Sequence, residues 1–94
     1  MTGKERAALR RMANTIQPIF QIGKGGVGEA MLEQLGMALD ARELIKITVL
    51  ETADVTAREA FDILSQALGA EPVQCIGRKV TIYRRNEKEP KIQL

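Results

Sequence analysis

Apolar residues repeat every three or four positions in three segments of the chain, which is the spacing of amphipathic helices. The three stripes are Leu9, Met12, Ala13 and Ile16; Val27, Met31, Leu32, Leu35, Ala38 and Leu39; and Ala60, Phe61, Leu64, Ala67 and Leu68. Thr2 with Glu5 matches the T-x-x-E capping box, which predicts that the first helix begins there. Thr56 with Glu59 predicts the start of the third helix in the same way, and Gly69 is placed to end it.

Four shorter segments predict strands, at Ile19–Ile22, Leu44–Leu50, Val73–Ile76 and Val80–Tyr83. In the second segment three β-branched residues alternate with Lys46 and Thr48, so one face is apolar and the other polar. In the last segment, Thr81 and Tyr83 fall on the more polar face. The Gly77-Arg78 pair predicts a hairpin turn between the last two strands.

The order of elements is therefore α-β-α-β-α-β-β. Right-handed β-α-β crossovers make the strands that they join parallel, and the closing hairpin adds an antiparallel strand. Strands with one apolar face favour helices on one side of the sheet. The pattern predicts an α/β fold, a two-layer sandwich with a mixed sheet. We expect a single domain over residues 1–84, followed by a charged tail, 85–94, in which Ile92 and Leu94 can dock.

The segment Gly23-Lys24-Gly25-Gly26 joins the first predicted strand to the second helix. Such a loop points backbone N–H groups outward at the positive end of a helix dipole, where a phosphate can bind. A ligand-free turn, a nucleotide cofactor site and a nucleic-acid contact are the three interpretations. Up to Gly28 the segment fits G-x-G-x-x-G. However, the chain is too short for a dinucleotide-binding fold. That motif also expects an acidic residue at the end of the next strand, whereas Glu43 lies at its start.

The 94 residues have a net charge of only +2, but the charges are unevenly distributed. Basic residues cluster near both ends of the chain and acidic residues fall on the second and third predicted helices, so one face can be positive. There is no histidine and one cysteine. This composition excludes the commonest general base, the commonest metal ligand and an internal disulfide. No paired carboxylates occur at an informative spacing, and we expect no enzyme activity, no cofactor and no metal.

No apolar segment is long enough to cross a bilayer, and none follows the basic N-terminus as the core of a signal peptide. We therefore expect a cytoplasmic protein without a membrane partner. Phe20 and Phe61 are expected in the core. Tyr83 is then the only platform for base stacking, so an RNA partner would be contacted mainly through its backbone and shape.

Several short motifs occur along the chain in a defined order. They are Leu9-Arg10-Arg11-Met12-Ala13, Pro18, Ile22-Gly23-Lys24-Gly25-Gly26, Glu43-Leu44-Ile45-Lys46-Ile47, Gln74-Cys75-Ile76-Gly77-Arg78, Ile82-Tyr83-Arg84 and Lys91-Ile92-Gln93-Leu94. With these motifs the chain resembles the bacterial YhbY-type stand-alone CRM domain, the chloroplast RNA splicing and ribosome maturation domain. The resemblance implies a fold like the C-terminal domain of translation initiation factor 3, with sheet order 1-2-4-3 and strand 4 antiparallel. It also implies RNA binding and association with precursors of the large ribosomal subunit.

The resemblance places a G-x-x-G loop beside a basic surface. The candidate RNA-binding residues are Gly23, Lys24, Gly25 and Gly26 in the loop, Lys4, Arg6, Arg10 and Arg11 in the first helix, and Lys46 and Arg84 as weaker candidates. We predict a monomeric, non-catalytic protein that binds ribosomal RNA in large-subunit precursors and assists ribosome assembly. The alternatives are a ribosome-associated protein-interaction module using the open sheet face (Lys46, Thr48, Tyr83) and a nucleotide-dependent enzyme.

Overall fold

The computed structural model describes all 94 residues, and its elements alternate as the sequence pattern predicts. They are α1 (Gly3–Ala13), β1 (Pro18–Ile22), α2 (Glu29–Arg42), β2 (Leu44–Val49), α3 (Ala57–Leu68), β3 (Glu71–Ile76) and β4 (Lys79–Tyr83). The strands form one sheet in the order β1-β2-β4-β3. β1 pairs parallel with β2, and β4 runs antiparallel to both β2 and β3. The predicted fold class, sheet order and strand directions are confirmed.

The starts of α1 and α3 are fixed by complete capping boxes. In α1, Thr2 Oγ1 accepts a hydrogen bond from the Glu5 N–H at 3.1 Å, and Glu5 Oε1 accepts one from the Thr2 N–H at 2.9 Å. Thr56 and Glu59 make the same two bonds at the start of α3, at 3.0 and 2.8 Å. Gly69 ends α3 with φ of 61°, in the left-handed region. These boundaries confirm the predictions made from the sequence.

The second helix begins two residues later than the start predicted at Val27. Its N-cap is Gly28, which has no side chain to accept a hydrogen bond from the first turn. Gly25 and Gly26 have positive φ, so the chain cannot enter a right-handed helix until it has passed them. The helix ends at Glu43, the one residue other than glycine with positive φ, at 67°.

The main core lies between the sheet and the pair α2 and α3. Its eleven buried residues are Ile22, Leu35, Leu39, Ile45, Ile47, Val49, Ala60, Phe61, Leu64, Val80 and Ile82. Phe20 packs against the same cluster, so both phenylalanines contribute to the core as expected. The apolar alternation of β2 therefore faces α2 and α3, and Lys46 and Thr48 lie on the other face.

Helix α1 covers one end of the opposite face of the sheet. A second buried cluster consists of Leu9 from α1, Leu44 from β2 and Tyr83 from β4. Since Leu44 alternates with the core residue Ile45, α1 and the pair α2 and α3 lie on opposite sides of the sheet. The expectation of helices on one side holds for α2 and α3 but not for α1. Tyr83 is only 3% exposed, so its prediction as an open stacking platform is wrong.

The last ten residues fold back onto the domain, where the buried carboxylate of Glu43 holds them. Glu43 Oε2 accepts a hydrogen bond from the Asn86 N–H at 2.7 Å. Oε1 accepts from the N–H groups of Lys91 at 2.7 Å and Ile92 at 2.6 Å. Ile92 docks as expected, half-buried against the α1 cluster, whereas Leu94 stays exposed.

Burial opposes ionisation of Glu43, but the three backbone donors outweigh it and hold the pKa of the carboxyl below its ordinary value. The carboxylate thus carries its charge inside the protein because the tail supplies the hydrogen bonds that water would otherwise supply. Elsewhere in the fold, none of the helices combines the length and apolar character needed to cross a membrane.

Candidate functional site

Residues 23–28, which we call the glycine loop, join the end of β1 to the start of α2. Gly25 and Gly26 have φ of 104° and 68°, values that strongly favour glycine. The N–H of Gly26 donates to the carbonyl oxygen of Gly23 at 3.1 Å and closes a tight turn. Gly23 itself does not have positive φ, and a Cβ there would meet only Leu50 Cδ1, at 3.5 Å. Glycine is therefore required at two positions of the loop and is replaceable at Gly23.

Free backbone donors lie where the glycine loop meets α2. The first helical bond of α2 runs from the Leu32 N–H to the carbonyl oxygen of Gly28 at 3.0 Å. The N–H groups of Glu29, Ala30 and Met31 therefore have no acceptor within the helix, and they point toward the loop. The carboxylate of Glu29 lies in the same turn and weakens the attraction for an anion. The arrangement can hold a phosphate only with the help of a nearby cation.

Lys24 supplies a cation at the tip of the glycine loop. It is exposed, and it takes no part in the six ion pairs of the protein. No heavy atom lies within 4 Å of the Cβ position at Gly25 or Gly26, so the outer side of the loop is open. A phosphate could therefore approach the Lys24 ammonium group and the backbone together.

The cations of α1 divide into two groups along the helix. Arg10 and Arg11 lie in its last turn, are exposed and have no carboxylate partner. Lys4 is likewise free, but Arg6 lies 3.7 Å from Glu71 in an exposed ion pair that contributes little to stability. Because Glu71 begins β3 at the end of the sheet away from the glycine loop, Arg6 is the more distant group.

Arg84 has a structural role in this fold. Its guanidinium group donates to the carbonyl oxygens of Leu68 at 2.8 Å and Gly36 at 2.9 Å, and to Asp40 Oδ1 at 3.0 Å. The side chain thereby ties the end of α3 to the C-terminal half of α2. With three bonds already made, Arg84 is not available to a ligand on the opposite face, and the interface proposed below omits it.

Lys46 lies on the part of the sheet that α1 leaves uncovered, in a shallow groove of about 220 Å³ that we call the sheet groove. The groove is lined by Asn14, Lys46, Gln74, Ile76, Lys79 and Thr81. Sequence reasoning selected Lys46 and missed the others as site residues. The period-two alternation of β4, which places Lys79 on the same face as Thr81, could have identified Lys79. The contribution of Asn14 depends on where α1 docks and has no sequence signal.

Charge is separated between the two sides of the sheet. α2 and α3 together carry five acidic and two basic residues, whereas α1 carries four basic residues and one acidic residue. The uncovered sheet face adds Lys46 and Lys79 to the α1 side. The structure therefore brings Arg10, Arg11 and Lys46 onto one side of the molecule, with Lys24 at its edge. No group of three or more histidine, cysteine, aspartate or glutamate side chains is arranged to hold a metal ion.

Burial raises the pKa of the Tyr83 phenol above its ordinary value, and the side chain lies beneath α1. One of the three residues that would support a protein-interaction module on the open sheet face is therefore inaccessible. Lys46 and Thr48 remain on that face, beside the cations described above.

Comparisons with known proteins agree with this fold and identify the family. The family model described as CRS1 / YhbY (CRM) domain matches residues 1–84. A Bacillus subtilis protein named "Probable RNA-binding protein YqeI" is 37% identical over 100% of this chain and 98% of its own. A Haemophilus influenzae protein named "RNA-binding protein" is 31% identical over 100% of this chain and 94% of its own. The solution structure of SAV1595 from Staphylococcus aureus superposes with a TM-score of 0.81 at 44% identity, covering 100% of this chain and 98% of that one.

Proposed function

Because the chain belongs to the CRS1/YhbY (CRM) domain family, we propose that it is a non-catalytic RNA-binding protein that binds ribosomal RNA in precursors of the large ribosomal subunit. It acts as a cytoplasmic monomer that assists assembly of the subunit. The names of its relatives support RNA as the partner. The ribosomal target is carried over from the family resemblance of the motifs.

One observation carries the RNA-binding proposal: most of the cations on the α1 side of the sheet and at its edge are unpaired. Lys4, Arg10, Arg11, Lys24 and Lys46 have no carboxylate partner, whereas four of the five arginines outside α1 do, such as Arg78 with Glu51 at 2.8 Å. Unpaired cations clustered on one face attract a polyanion, and each phosphate that they neutralise releases a counterion.

The mechanism follows from the positions of these groups. Lys24 and the free N–H groups at the start of α2 hold one part of the RNA backbone. Arg10 and Arg11, in the last turn of α1, neutralise phosphates further along the same face. These contacts fix the position of the RNA without reading its sequence, because they involve phosphates and not base edges.

The first test is binding of the purified protein to a structured fragment of large-subunit ribosomal RNA across a salt series. We expect the logarithm of the affinity to fall with the logarithm of the salt concentration with a slope of about −3 to −5, as roughly four to six phosphate contacts require. The variant Lys24→Gln should lower the magnitude of that slope by about 1. Absence of salt-dependent binding would refute the RNA-binding function.

The matched control is Arg58→Gln, which removes a cation from α3 on the opposite side of the sheet. Arg58 is exposed, pairs with Asp62 at 4.0 Å and lies 5.4 Å over the Phe61 ring. Each of these contacts is worth about 1 kcal/mol or less at an exposed site, so the variant should remain folded and the salt slope should not change. Equal weakening by Arg58→Gln and Lys24→Gln would indicate a general charge effect and not the proposed surface.

The assembly role is tested separately by sedimentation. We expect the protein to sediment with precursors of the large subunit and not with mature subunits.

A further inference from the structure

The sheet groove is a separate cluster of polar groups between the two parts of the proposed interface. Across the sheet, Lys46 of β2 pairs with Thr81 of β4, and Thr81 pairs in turn with Gln74 of β3. The next row contains Thr48, Lys79 and Ile76. Lys46 and Lys79 are thus diagonal neighbours, with Cα atoms about 7–8 Å apart, and their long side chains can converge.

The groove contains two positive charges and no negative charge among its lining residues. Neither Lys46 nor Lys79 takes part in an ion pair. Like charges at neighbouring positions of a sheet disfavour the fold slightly, and an anion between them would remove the repulsion. The two lysines therefore favour an anionic ligand. Because the groove is shallow, the ligand must be one that binds at an open surface.

The remaining polar groups narrow the chemistry of the ligand. Asn14 and Gln74 each combine hydrogen-bond donors with acceptors. Thr81 also lines the groove, but it is only 1% exposed, so its side chain is closed to a ligand. A ribose 2′-hydroxyl also donates and accepts, and it is the group that distinguishes RNA from DNA. No aromatic residue lines the groove, so base stacking is not available there. The groove is suited to a phosphate and the sugar beside it.

The groove is also continuous with the proposed interface at both ends. Asn14, the C-cap of α1, follows directly on the turn that carries Arg10 and Arg11. At the other end, the Val49 N–H donates to the Arg78 carbonyl oxygen at 2.7 Å, beside the Leu50 N–H that donates to Ile22 before the glycine loop. A strand of RNA can therefore run from the end of α1 across the groove to Lys24.

We infer that the sheet groove binds a phosphate and the adjoining ribose of the RNA, with the two lysines on the phosphate and the amide side chains of Asn14 and Gln74 on the 2′-hydroxyl. This inference rests on the proposed function and adds to it a contact that selects RNA over DNA.

The test compares single-stranded RNA and DNA of one sequence, binding to the wild-type protein and to two double variants. Lys46→Gln with Lys79→Gln should weaken RNA binding roughly tenfold and lower the magnitude of the salt slope by about 0.7 to 1, the contribution of one phosphate contact. Asn14→Ala with Gln74→Ala should leave the salt slope unchanged and reduce the preference for RNA over DNA several-fold. Thermal melting confirms that each variant is folded, and Lys79→Gln alone, at an exposed site, replaces the double variant if folding suffers.

The outcomes separate this inference from the function on which it rests. If the wild-type protein binds RNA and the lysine double variant binds it equally well with the same slope, the groove does not hold a phosphate, although the RNA-binding function stands. If the wild-type protein binds DNA as tightly as RNA, or the Asn14 and Gln74 variant keeps the full preference, recognition of the sugar is refuted. Failure of the wild-type protein to bind the structured ribosomal RNA fragment refutes the proposed function itself.

Discussion

Glu43 combines two features that normally exclude each other, a backbone conformation that favours glycine and a buried charge. Its φ of 67° costs a residue with a Cβ about 1–2 kcal/mol. The side chain is fully buried, and its two oxygens accept three backbone hydrogen bonds from the tail. Hydrogen bonds to a charged group are stronger than those between neutral groups, so these three bonds offset the cost of the positive φ.

Replacing Glu43 by glutamine tests the contribution of this carboxylate. A glutamine has one acceptor oxygen, and its amide NH₂ group would face a backbone N–H, which leaves a buried donor without a partner. We expect Glu43→Gln to lower the free energy of unfolding by about 3 kcal/mol, measured by urea denaturation. The same substitution at Glu87, an exposed carboxylate on the tail, should change it by less than about 0.5 kcal/mol. Equal effects of the two variants would contradict the role of Glu43.

The charge on Glu43 also predicts how stability depends on pH. Its pKa is lower in the folded protein than in the unfolded chain, because the tail donors outweigh the effect of burial. A depressed pKa gives a stabilisation that is complete above the unfolded value, about 4.3, and is lost as the pH falls through the folded value. The difference in unfolding free energy between wild type and Glu43→Gln should therefore be constant from pH 7 to about pH 5 and narrow below it. A difference that widens in acid would have the wrong sign.

At the scale of elements, two substitutions in the glycine loop distinguish a glycine that the backbone conformation requires from one that only a bound ligand would require. Gly26→Ala places a Cβ at a φ of 68° and should lower the free energy of unfolding by about 1 kcal/mol, with a several-fold loss of RNA affinity as the turn rearranges. Gly23→Ala, where the backbone is ordinary and the nearest atom is at 3.5 Å, should change neither quantity. Denaturation and RNA titration of the two variants test this, and weakening by both would implicate close approach of the ligand at Gly23.

The sequence predicted elements best where local chemistry marks their ends. Both capping boxes and the Gly69 terminus were confirmed because each depends on residues within three positions of one another. The start of α2 was misplaced because Gly28 has no capping side chain to mark it. The end of α2 at Glu43 could not be predicted from the local sequence either. Its conformation is supported by residues more than forty positions away, and local patterns contain no information on them.

At the scale of the whole molecule, the docking of α1 decides what the open sheet face can do. Alternation correctly placed Thr81 and Tyr83 on the same face, but it could not show that α1 covers Tyr83 and leaves Thr81 beside the sheet groove. The same docking brings Arg11 and Lys46, from distant parts of the sequence, onto one side. The sequence could therefore predict which cations belong to the candidate site. It could not predict that Arg84 ties α3 to α2 while the others lie on the proposed interface.

The tail is the remaining whole-molecule feature, and its contacts indicate that residues 85–92 complete the domain. Ending the chain after Arg84 removes all three donors to Glu43 and the packing of Ile92. Each hydrogen bond to a charged group contributes about 1.5–3 kcal/mol, and water that reaches the uncovered carboxylate replaces part of this, so we expect the free energy of unfolding to fall by about 3 kcal/mol. Removing only Gln93 and Leu94, which are exposed, should cost less than about 0.5 kcal/mol. Urea denaturation of both truncations provides the comparison.

A double-mutant cycle shows whether the tail acts through Glu43. In the truncated chain the carboxylate has already lost its backbone donors, so Glu43→Gln should cost far less there than in the full-length protein. The coupling energy should be about 2 kcal/mol or more. Additive effects would mean that the tail stabilises the domain only through Ile92.

RNA affinity measured on the folded fraction of the truncated protein should change little, since the surface formed by Lys24, Arg10 and Arg11 does not include the tail. That result would separate the residues that complete the fold from those that bind RNA.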